Sequence, residues 1–307
     1  MNINIINIIK YFREFGMDFS SKYFYFAYKK DYKKRHNLVN EYLTKKYLSN
    51  IYIRQKNIPK IVFNKNDYKI WVLWWQGEEN MPPIVKICFN SLKKHAKDIP
   101  VILLTKDNFY KYIDLPDYIL NKINKEITIT HLSDIIRFFL LDKYGGLWID
   151  ATVLVTKNIV DIKEIFFSEI YTAKLSNKNE NSFNIAYDRW TGFLMGNNIN
   201  DNMLFMYGKD LFFRYWKEND ILIDYFLIDY FINMLYGNNL IIRKSIDKIP
   251  INNKRIFELN NKLNKYFNID EYELLISEND FHKLSWKEKI DYSNKKNFYN
   301  YIGELYL

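Results

Sequence analysis

Cysteine is nearly absent from this chain of 307 residues, which contains one, Cys88. A single cysteine cannot form a disulfide within one chain, and it cannot supply the two to four cysteine ligands of a structural zinc site. No run approaches the roughly 18 apolar residues that a membrane-spanning helix needs. The first residues, MNINIINIIKYF, also lack the basic leader and the small-residue cleavage site of a secretory signal. We therefore expect a protein of the reducing cytoplasm.

Several catalytic signatures are missing as well. The sequence has no HExxH zinc motif and no P-loop. No serine or cysteine stands beside a histidine or carboxylate in a recognisable nucleophile motif. These absences argue against zinc hydrolases, against kinases built on a P-loop, and against hydrolases built on a serine or cysteine nucleophile.

Aromatic residues and positive charge are plentiful. Aromatics make up 18% of the chain, and the net charge is +9. Residues 1–57 hold 12 Lys and Arg against 4 Asp and Glu, so a net charge of +8 lies in this first fifth. Basic and aromatic residues alternate there, as in KYFYFAYKKDYKKR, and this pattern is typical of segments at an anionic membrane surface. A solvated helical extension is the plainer alternative. Nucleic acid is disfavoured, because no binding motif accompanies the charge.

The apolar pattern predicts two regions. Helical spacing in residues 1–57 predicts a helical extension, and Asn57-Ile58-Pro59 predicts a break before a main domain at 58–307. Apolar runs of strand length are expected to form strands at 69–75, 100–105, 170–175 and 190–195, with a polar loop at 178–182. Helices are expected at 83–95, 115–125, 202–217 and 222–236. This alternation predicts an α/β fold with a mostly parallel sheet flanked by helices.

The most informative stretch is SDIIRFFLLDKYGGLWIDAT, residues 133–152. A wide apolar stripe predicts a helix from about 132 to 141, with Ser133 as its cap or a first-turn residue. Asp134 and Arg137 are three residues apart and therefore share one face of that helix. A charged pair on an otherwise buried face costs desolvation, so its presence indicates a functional role.

The second half of this stretch leads to a carboxylate. The pair Gly145-Gly146 allows the left-handed backbone that ends helices. The run LWI is then a short strand that ends at Asp150, and ligand sites of open α/β sheets lie at such strand ends. Hard divalent cations prefer carboxylate oxygens, which makes Asp150 a candidate metal ligand.

Four motifs in order give the chain a family resemblance. SD-x-x-R followed by YGG-x-W-x-D is similar to the donor site of glycosyltransferases that carry an Asp-x-Asp motif. With WWQG at 74–77, DYFL at 224–227 and HKLSW at 282–286, the chain resembles the capsular polysaccharide synthesis proteins, akin to glycosyltransferase family 32. The resemblance covers about residues 69–287, and it implies a GT-A type, Rossmann-like α/β domain.

The resemblance also implies a reaction. A hexose would move from a nucleotide-sugar, UDP-linked, to an oligosaccharide or lipid-linked glycan acceptor in bacterial capsular or surface polysaccharide synthesis, with retention of configuration. The enzyme would then lie on the inner face of the bacterial membrane. A non-catalytic sugar- or nucleotide-binding subunit of polysaccharide assembly is the alternative.

The site residues follow from the same motifs. The implied catalytic residues are Asp150, Asp134, Arg137 and Asp224. The implied substrate-binding residues are Trp74, Trp75, Gln76, Ser133, Gly146, Asp188, Lys283, Ser285 and Trp286. The implied ligands of Mn²⁺ or Mg²⁺ are Asp150, Thr152 and His282. Since a threonine hydroxyl replaces the second carboxylate of Asp-x-Asp, the sequence leaves metal dependence open.

Overall fold

A computed structural model describes residues 5–48, 67–176, 182–199 and 201–307. The predicted break at 57–59, the boundary between the two regions and most of the predicted polar loop at 178–182 lie outside these residues. The helices are α1 (Ile5–Phe15), α2 (Met17–Lys29), α3 (Tyr32–Tyr47), α4 (Pro83–Ala96), α5 (Asp117–Leu120), α6 (Ile129–Tyr144), α7 (Lys163–Phe167), α8 (Met203–Glu218), α9 (Leu227–Asn238), α10 (Leu240–Asp247), α11 (Glu258–Lys262), α12 (Ile269–Glu278) and α13 (Phe298–Tyr306). The strands are β1 (Ile70–Leu73), β2 (Val101–Leu104), β3 (Gly146–Ile149), β4 (Val153–Val155), β5 (Ile170–Thr172), β6 (Leu194–Asn197) and β7 (Phe281–Lys283).

A five-stranded sheet lies at the centre, with the strand order β2-β1-β3-β6-β5. β1 is parallel to β2 and to β3, whereas β6 is antiparallel to both β3 and β5. All strands of this sheet except β6 therefore point the same way, which confirms the predicted α/β fold with a mostly parallel sheet. A separate antiparallel pair joins β4 to β7, with Val153 opposite Lys283. This pair brings the C-terminal region beside the end of β3.

The central strands are apolar throughout because both faces of the sheet are covered. Successive side chains of a strand point to opposite faces. Trp71 and Trp148 pack into a core cluster with α6, α8 and α9. Ile70, Val72 and Ile149 pack into a second cluster with α4, α12 and α13. The sheet is thus held between two helical layers, and only its strand ends remain for a site.

The N-terminal helices belong to the first of these layers. Helical structure predicted there is confirmed for residues 5–48, and α3 packs against α9. Tyr11, Phe15 and Tyr47 are buried in the same core cluster as α9. The Tyr11 hydroxyl donates a hydrogen bond to the carbonyl of Ile223 at 2.7 Å. Many of the aromatic side chains of this segment therefore face the protein interior.

Helix α6 begins earlier than expected. Thr128 caps it by accepting a hydrogen bond from the amide of His131. The prediction that Ser133 caps the helix is wrong: Ser133 lies in its second turn, and its hydroxyl donates to the Thr130 carbonyl at 2.6 Å. The helix ends at Gly145, as predicted.

Gly146 has a φ of +89°, and a Cβ placed on it would collide with the carbonyl oxygen of Lys69. Only glycine therefore lets β3 start so close to β1.

Three further element predictions need correction. The helix expected at 115–125 is limited to α5, because Asn124 has a φ of 61° and the chain turns there. The strand expected from 190 begins only at Leu194, since the preceding loop turns to bring the Gly192 carbonyl to Arg137. The helix expected from 222 begins at Leu227.

Asp224 consequently precedes α9 instead of lying on it. None of the helices in the described part of the chain is long and apolar enough to cross a bilayer.

Candidate functional site

Asp150 lies directly after β3, and its amide donates to the Phe193 carbonyl at 2.9 Å. One carboxylate oxygen, Oδ1, accepts from the indole N–H of Trp148 at 2.9 Å and lies 3.4 Å from Arg137 Nη2. The other oxygen, Oδ2, is 3.4 Å from Lys283 Nζ. The Asp150 side chain is 27% exposed. A partly open carboxylate thus lies between two cations at the carboxyl end of the central strand.

The buried guanidinium of Arg137 joins this carboxylate to Asp134. Its Nη2 is 3.1 Å from Asp134 Oδ1 and 3.1 Å from the Ser133 hydroxyl, and its Nη1 donates to the Gly192 carbonyl. The Cζ atom of Arg137 also lies over the ring of Trp148, 5.1 Å from its centroid. The i,i+3 pair predicted on α6 is therefore present. Several N–H donors of the Arg137 guanidinium have polar partners, and these contacts fix its orientation.

Burial is the largest influence on the pKa values of Asp134 and Asp229. Burial raises the pKa of Asp134 to about 7, with Asp150 and Asp229 adding to the rise and Arg137 opposing it. Burial likewise raises the pKa of Asp229 to about 6, against hydrogen bonds from Trp190 and Asn184. Near neutral pH, Asp134 therefore exists partly as a neutral acid that can donate a hydrogen bond as well as accept one.

Pairing of β7 with β4 places Lys283 in the site. Its ammonium contacts the Thr152 hydroxyl, lies 3.4 Å from Asp150 Oδ2, and sits 5.3 Å from the ring centroid of Phe193. The preceding residue, His282, points to the opposite side of the strand, as strand geometry requires. The structure therefore brings together Asp150, Thr152 and Lys283 from the predicted set, and it turns His282 away.

His282 is fully buried, and its Nε2 lies 3.3 Å from the Thr156 hydroxyl. Burial lowers the pKa of His282 to about 4, so its imidazole is neutral at physiological pH.

The arrangement of side chains around Asp150 suits an ammonium group better than a metal ion surrounded by protein ligands. Within the described ranges, no group of three or more His, Cys, Asp and Glu side chains is placed to hold a metal ion. Both oxygens of Asp150 face protein N–H donors, and Thr152 contacts Lys283. These residues do not fit a divalent cation held by protein ligands alone.

An aromatic edge lies beside the first strand. The rings of Trp74 and Trp286 meet edge to face, with centroids 6.3 Å apart. Trp286 is 51% exposed and Trp74 is partly buried, so both present surface to solvent. Trp75 instead packs against Phe109 at 5.2 Å and against the core. Gln76 follows as an exposed residue. Of the two predicted tryptophans, Trp74 is the one that meets the HKLSW segment.

The remaining predicted residues have local partners. The Ser285 hydroxyl accepts from the amide of Lys287 at 3.2 Å, and its own amide donates to Asn260. The Asp188 carboxylate accepts from the Ser176 hydroxyl at 3.2 Å. Ser285 thus sits in a turn next to Trp286, and Asp188 helps to hold its own loop.

Asp224 is buried and tied to the N-terminal helices. Its Oδ2 accepts from the Tyr23 hydroxyl at 2.8 Å and lies 3.8 Å from Arg35 Nε. Its Oδ1 accepts from the Phe226 amide at 3.0 Å. The geometry gives Asp224 a structural role and leaves its predicted catalytic role a prediction.

Asp229, which sequence reasoning did not place in the site, is the helix α9 carboxylate that acts electrostatically on Asp134. Its oxygens accept from Trp190 Nε1 at 2.9 Å and from Asn184 Nδ2 at 3.0 Å. Sequence reasoning also missed the Gly192 carbonyl. A carboxylate inside an apolar helical run was the available signal for Asp229, whereas nothing in the sequence pointed to a backbone carbonyl.

Fold and site together define an α/β protein with a candidate ligand site at the carboxyl end of its central strand, where carboxylates, two cations and an indole meet. The chain belongs to the capsular polysaccharide synthesis protein family, whose model matches residues 21–302. This finding confirms the family resemblance seen in the four motifs.

Two individual proteins show further similarity. Over 107 residues the chain is 32% identical to the O-glycosyltransferase braB of Annulohypoxylon truncatum, an alignment that covers 32% of this chain and 25% of that protein. Among solved structures, the apo WbbM bifunctional glycosyltransferase aligns with a TM-score of 0.43 at 10% identity, over 80% of this chain and 50% of that one. The chain thus matches a quarter of the curated relative and half of the solved one.

Proposed function

We propose that this protein is a glycosyltransferase of capsular or other surface polysaccharide synthesis. It would transfer a hexose from a UDP-linked donor to a lipid-linked glycan acceptor, with retention of configuration. The observation that carries the proposal is the cluster of Asp134, Arg137, Asp150 and Lys283 at the end of β3. Family membership and the stretch similar to an O-glycosyltransferase support the same reading.

The cluster suits the charge changes of glycosyl transfer. When the bond between sugar and diphosphate breaks, negative charge grows on the diphosphate, and fixed cations stabilise it. Lys283 and Arg137 supply two such cations on either side of Asp150. Asp134 and Asp150 offer oxygens to the hydroxyl groups of the sugar. In a retaining reaction the leaving diphosphate takes the proton of the acceptor hydroxyl on the same face, so no separate strong base is needed.

The metal requirement stays a prediction, with Asp150 and Thr152 as its two adjacent candidate ligands. A Mg²⁺ or Mn²⁺ ion would add a further positive charge at the diphosphate. In the arrangement described above, the Lys283 ammonium lies between those two side chains. We propose that the Lys283 ammonium supplies part of the positive charge that a divalent cation would otherwise supply at the diphosphate.

Attachment to an anionic bilayer is the second part of the proposal. The outer surface of α1 and α2 exposes apolar and aromatic side chains, namely Ile9, Met17, Tyr25 and Tyr28. Lys10, Lys22, Lys29 and Lys30 are exposed on the same helices and their end. Such a mixture favours the interface of an anionic membrane. Replacing these four lysines by glutamate should abolish pelleting with anionic vesicles, and unchanged pelleting would contradict this part.

A donor-hydrolysis screen tests the catalytic part. Purified protein is incubated with UDP-, GDP- and CMP-sugars in Mn²⁺, Mg²⁺ or EDTA, and free nucleotide is measured. We expect release from one UDP-hexose and a loss of several orders of magnitude in Asp150→Asn, while the exposed control Asp98→Asn keeps the wild-type rate. A binding subunit would instead bind nucleotide without turnover. Absence of both turnover and nucleotide binding by calorimetry would refute the proposal.

A further inference from the structure

Tyr225 is an exposed aromatic residue beside the charged cluster that the reaction described above does not use. It is 50% exposed, although its neighbour Asp224 is buried. Asp224 accepts a hydrogen bond from the amide of Phe226 and thereby spans Tyr225. This local bond fixes the backbone, so that the Asp224 side chain turns inward and the Tyr225 ring turns outward.

Two other rings contact the ring of Tyr225. The ring of His131 meets it at 5.5 Å in an edge-to-face arrangement, and Phe226 meets it at 5.1 Å and 90°. Phe226 in turn packs against Phe183 at 5.5 Å, and Phe183 is 59% exposed. Burial lowers the pKa of His131 to about 4, so Tyr225 rests on a neutral ring at physiological pH. We call Phe183, Tyr225 and Phe226 the aromatic platform.

The aromatic platform adjoins the charged cluster. His131 and Asp134 are three residues apart on α6 and therefore share a face, so the ring that supports Tyr225 lies one turn from the Asp134 carboxylate. Asp134, Asp150 and Arg137 all act electrostatically on the Tyr225 phenol, whose pKa is raised first by burial and then by the two carboxylates. Phe183 is next to Asn184, which binds Asp229. The platform thus forms one rim of the site.

A second aromatic edge, formed by Trp74 and Trp286, belongs to β1 and the segment after β7. The platform instead belongs to the loop before α9, which carries Tyr225 and Phe226, and to the loop before β6, which carries Phe183. The two edges therefore come from different elements of the fold. Trp74 and Trp286 are the residues that family resemblance assigns to the donor.

We propose that the aromatic platform binds a sugar ring of the acceptor glycan, with Tyr225 as the residue in direct contact; the inference rests on the proposed function. The faces of aromatic rings are electron-rich and attract the polarised C–H groups on one side of a sugar ring. The phenol hydroxyl can exchange hydrogen bonds with sugar hydroxyl groups. An exposed cluster of rings next to polar groups marks a ligand surface. The sugar bound here would present its hydroxyl toward Asp134 and Asp150.

Saturation-transfer difference NMR on the full-length protein tests this binding. The probes are the methyl α- and β-glycosides of glucose, galactose and mannose, each added together with UDP. We expect saturation of the ring C–H protons of at least one glycoside by wild-type protein. Tyr225→Ala should weaken glycoside binding about ten-fold, the loss expected for one aromatic contact, and keep the UDP signal. Tyr225→Phe keeps the ring and loses the hydroxyl, so it should bind the glycoside more tightly than Tyr225→Ala, whereas the exposed control Tyr266→Ala should bind it as wild type does.

Two results of this experiment would overturn the inference. One is the absence of saturation-transfer signals from every glycoside with the wild type. The other is equal glycoside signals with the wild type and with Tyr225→Ala. Loss of UDP signals from the wild type would instead refute the proposed donor site, so the two failures are distinguishable. A second readout does not depend on the alanine variant: in protein labelled with 3-fluorotyrosine, the resonance that Tyr225→Phe removes should shift when glycoside is added, and a stationary resonance would contradict the inference.

Discussion

At the scale of single residues, two cations organise this site. Arg137 is buried and its guanidinium is oriented by Ser133, Asp134 and Gly192, whereas Lys283 is partly exposed at 22%. A buried, oriented guanidinium is preorganised and costs little reorganisation during reaction. A flexible ammonium can move from Asp150 to a phosphate when a ligand arrives. We therefore expect both cations to act on the leaving group, Arg137 from a fixed position and Lys283 by moving to it.

The role of Lys283 gives the first prediction. Lys283→Gln should lower the rate of donor hydrolysis by about 10²–10³, the usual effect of removing one electrostatic stabiliser. Lys283→Arg should retain part of the activity, because it keeps the charge. The measurement is nucleotide release, with the exposed control Lys287→Gln assayed in parallel. If Lys283→Gln keeps the wild-type rate, the leaving-group role is wrong.

The raised pKa of Asp134 gives a prediction about pH. The pKa of Asp134 in the folded protein, about 7, lies above the ordinary value of 3.8. Between these two pH values the folded protein therefore keeps a proton on Asp134 that the unfolded chain has lost. The wild type consequently loses stability as pH rises from about 4 to 7, and each pKa unit corresponds to about 1.4 kcal/mol. Asp134→Asn lacks this titration.

The measurement is the difference in Tm between Asp134→Asn and wild type. Between pH 5 and pH 8, the Tm of Asp134→Asn should rise by several degrees relative to the Tm of the wild type, since each kcal/mol moves Tm by about 2–4 °C. Asp98→Asn, an exposed substitution, should show no such trend. A pH-independent difference for Asp134→Asn would contradict a raised pKa.

At the scale of elements, the position of the cluster depends on how α6 packs against α8. Gly208 of α8 faces Phe138 of α6, and a Cβ placed on Gly208 would collide with that ring. The ring of Phe138 also meets Phe205 and Phe212, each with centroids 5.6 Å apart. The lack of a side chain at Gly208 lets α8 lie close against the buried face of the helix that carries Asp134 and Arg137.

This contact gives a prediction with an unusual sign. Alanine ordinarily stabilises a helix by about 1 kcal/mol relative to glycine. Gly208→Ala should instead destabilise the protein by about 1–3 kcal/mol, since overpacking forces a backbone or side-chain shift. Gly237→Ala in α9 is the matched control, because no atom lies within 4 Å of its added Cβ. Denaturant unfolding measures both, and a Gly208→Ala variant as stable as Gly237→Ala would disprove the close contact.

At the scale of the whole molecule, the N-terminal helices complete the layer on one side of the sheet. Arg35 donates to the Phe183 carbonyl at 3.1 Å, and His36 contacts the Ser182 carbonyl at 3.1 Å and the Tyr230 hydroxyl at 2.7 Å. These bonds hold the segment that carries Phe183 and Asn184. The helices therefore support both α9 and one rim of the site.

Removal of residues 1–48 tests this role. Each large side chain that loses full burial forfeits about 1.5–3 kcal/mol, and a typical domain has only about 5–15 kcal/mol of stability in total. We expect the truncated chain to be insoluble or to lose its cooperative thermal transition, as followed by circular dichroism and gel filtration. A dispensable extension would leave the Tm of the remaining domain unchanged. For the same reason, membrane binding is better tested with surface substitutions than with this truncation.

The sequence by itself determined the local parts of this protein. Apolar spacing and the glycine pair predicted the helix, its end at Gly145 and the strand that delivers Asp150, because these features depend on neighbours within a few residues. The spacing of Asp134 and Arg137 predicted their shared face for the same reason. The alternation of strands and helices also sufficed for the α/β class.

Tertiary structure alone decided which side chains meet. HKLSW does not show whether His282 or Lys283 faces Asp150, since that depends on the pairing of β7 with β4, elements more than a hundred residues apart in the chain. The start of α9 at Leu227 sends Asp224 to the N-terminal helices, whereas Asp229 lies on α9 and accepts from Trp190 and Asn184. Likewise, composition alone could not separate the buried aromatics of α1 and α2 from the exposed ones. Long-range packing, which local sequence does not encode, fixed each of these outcomes.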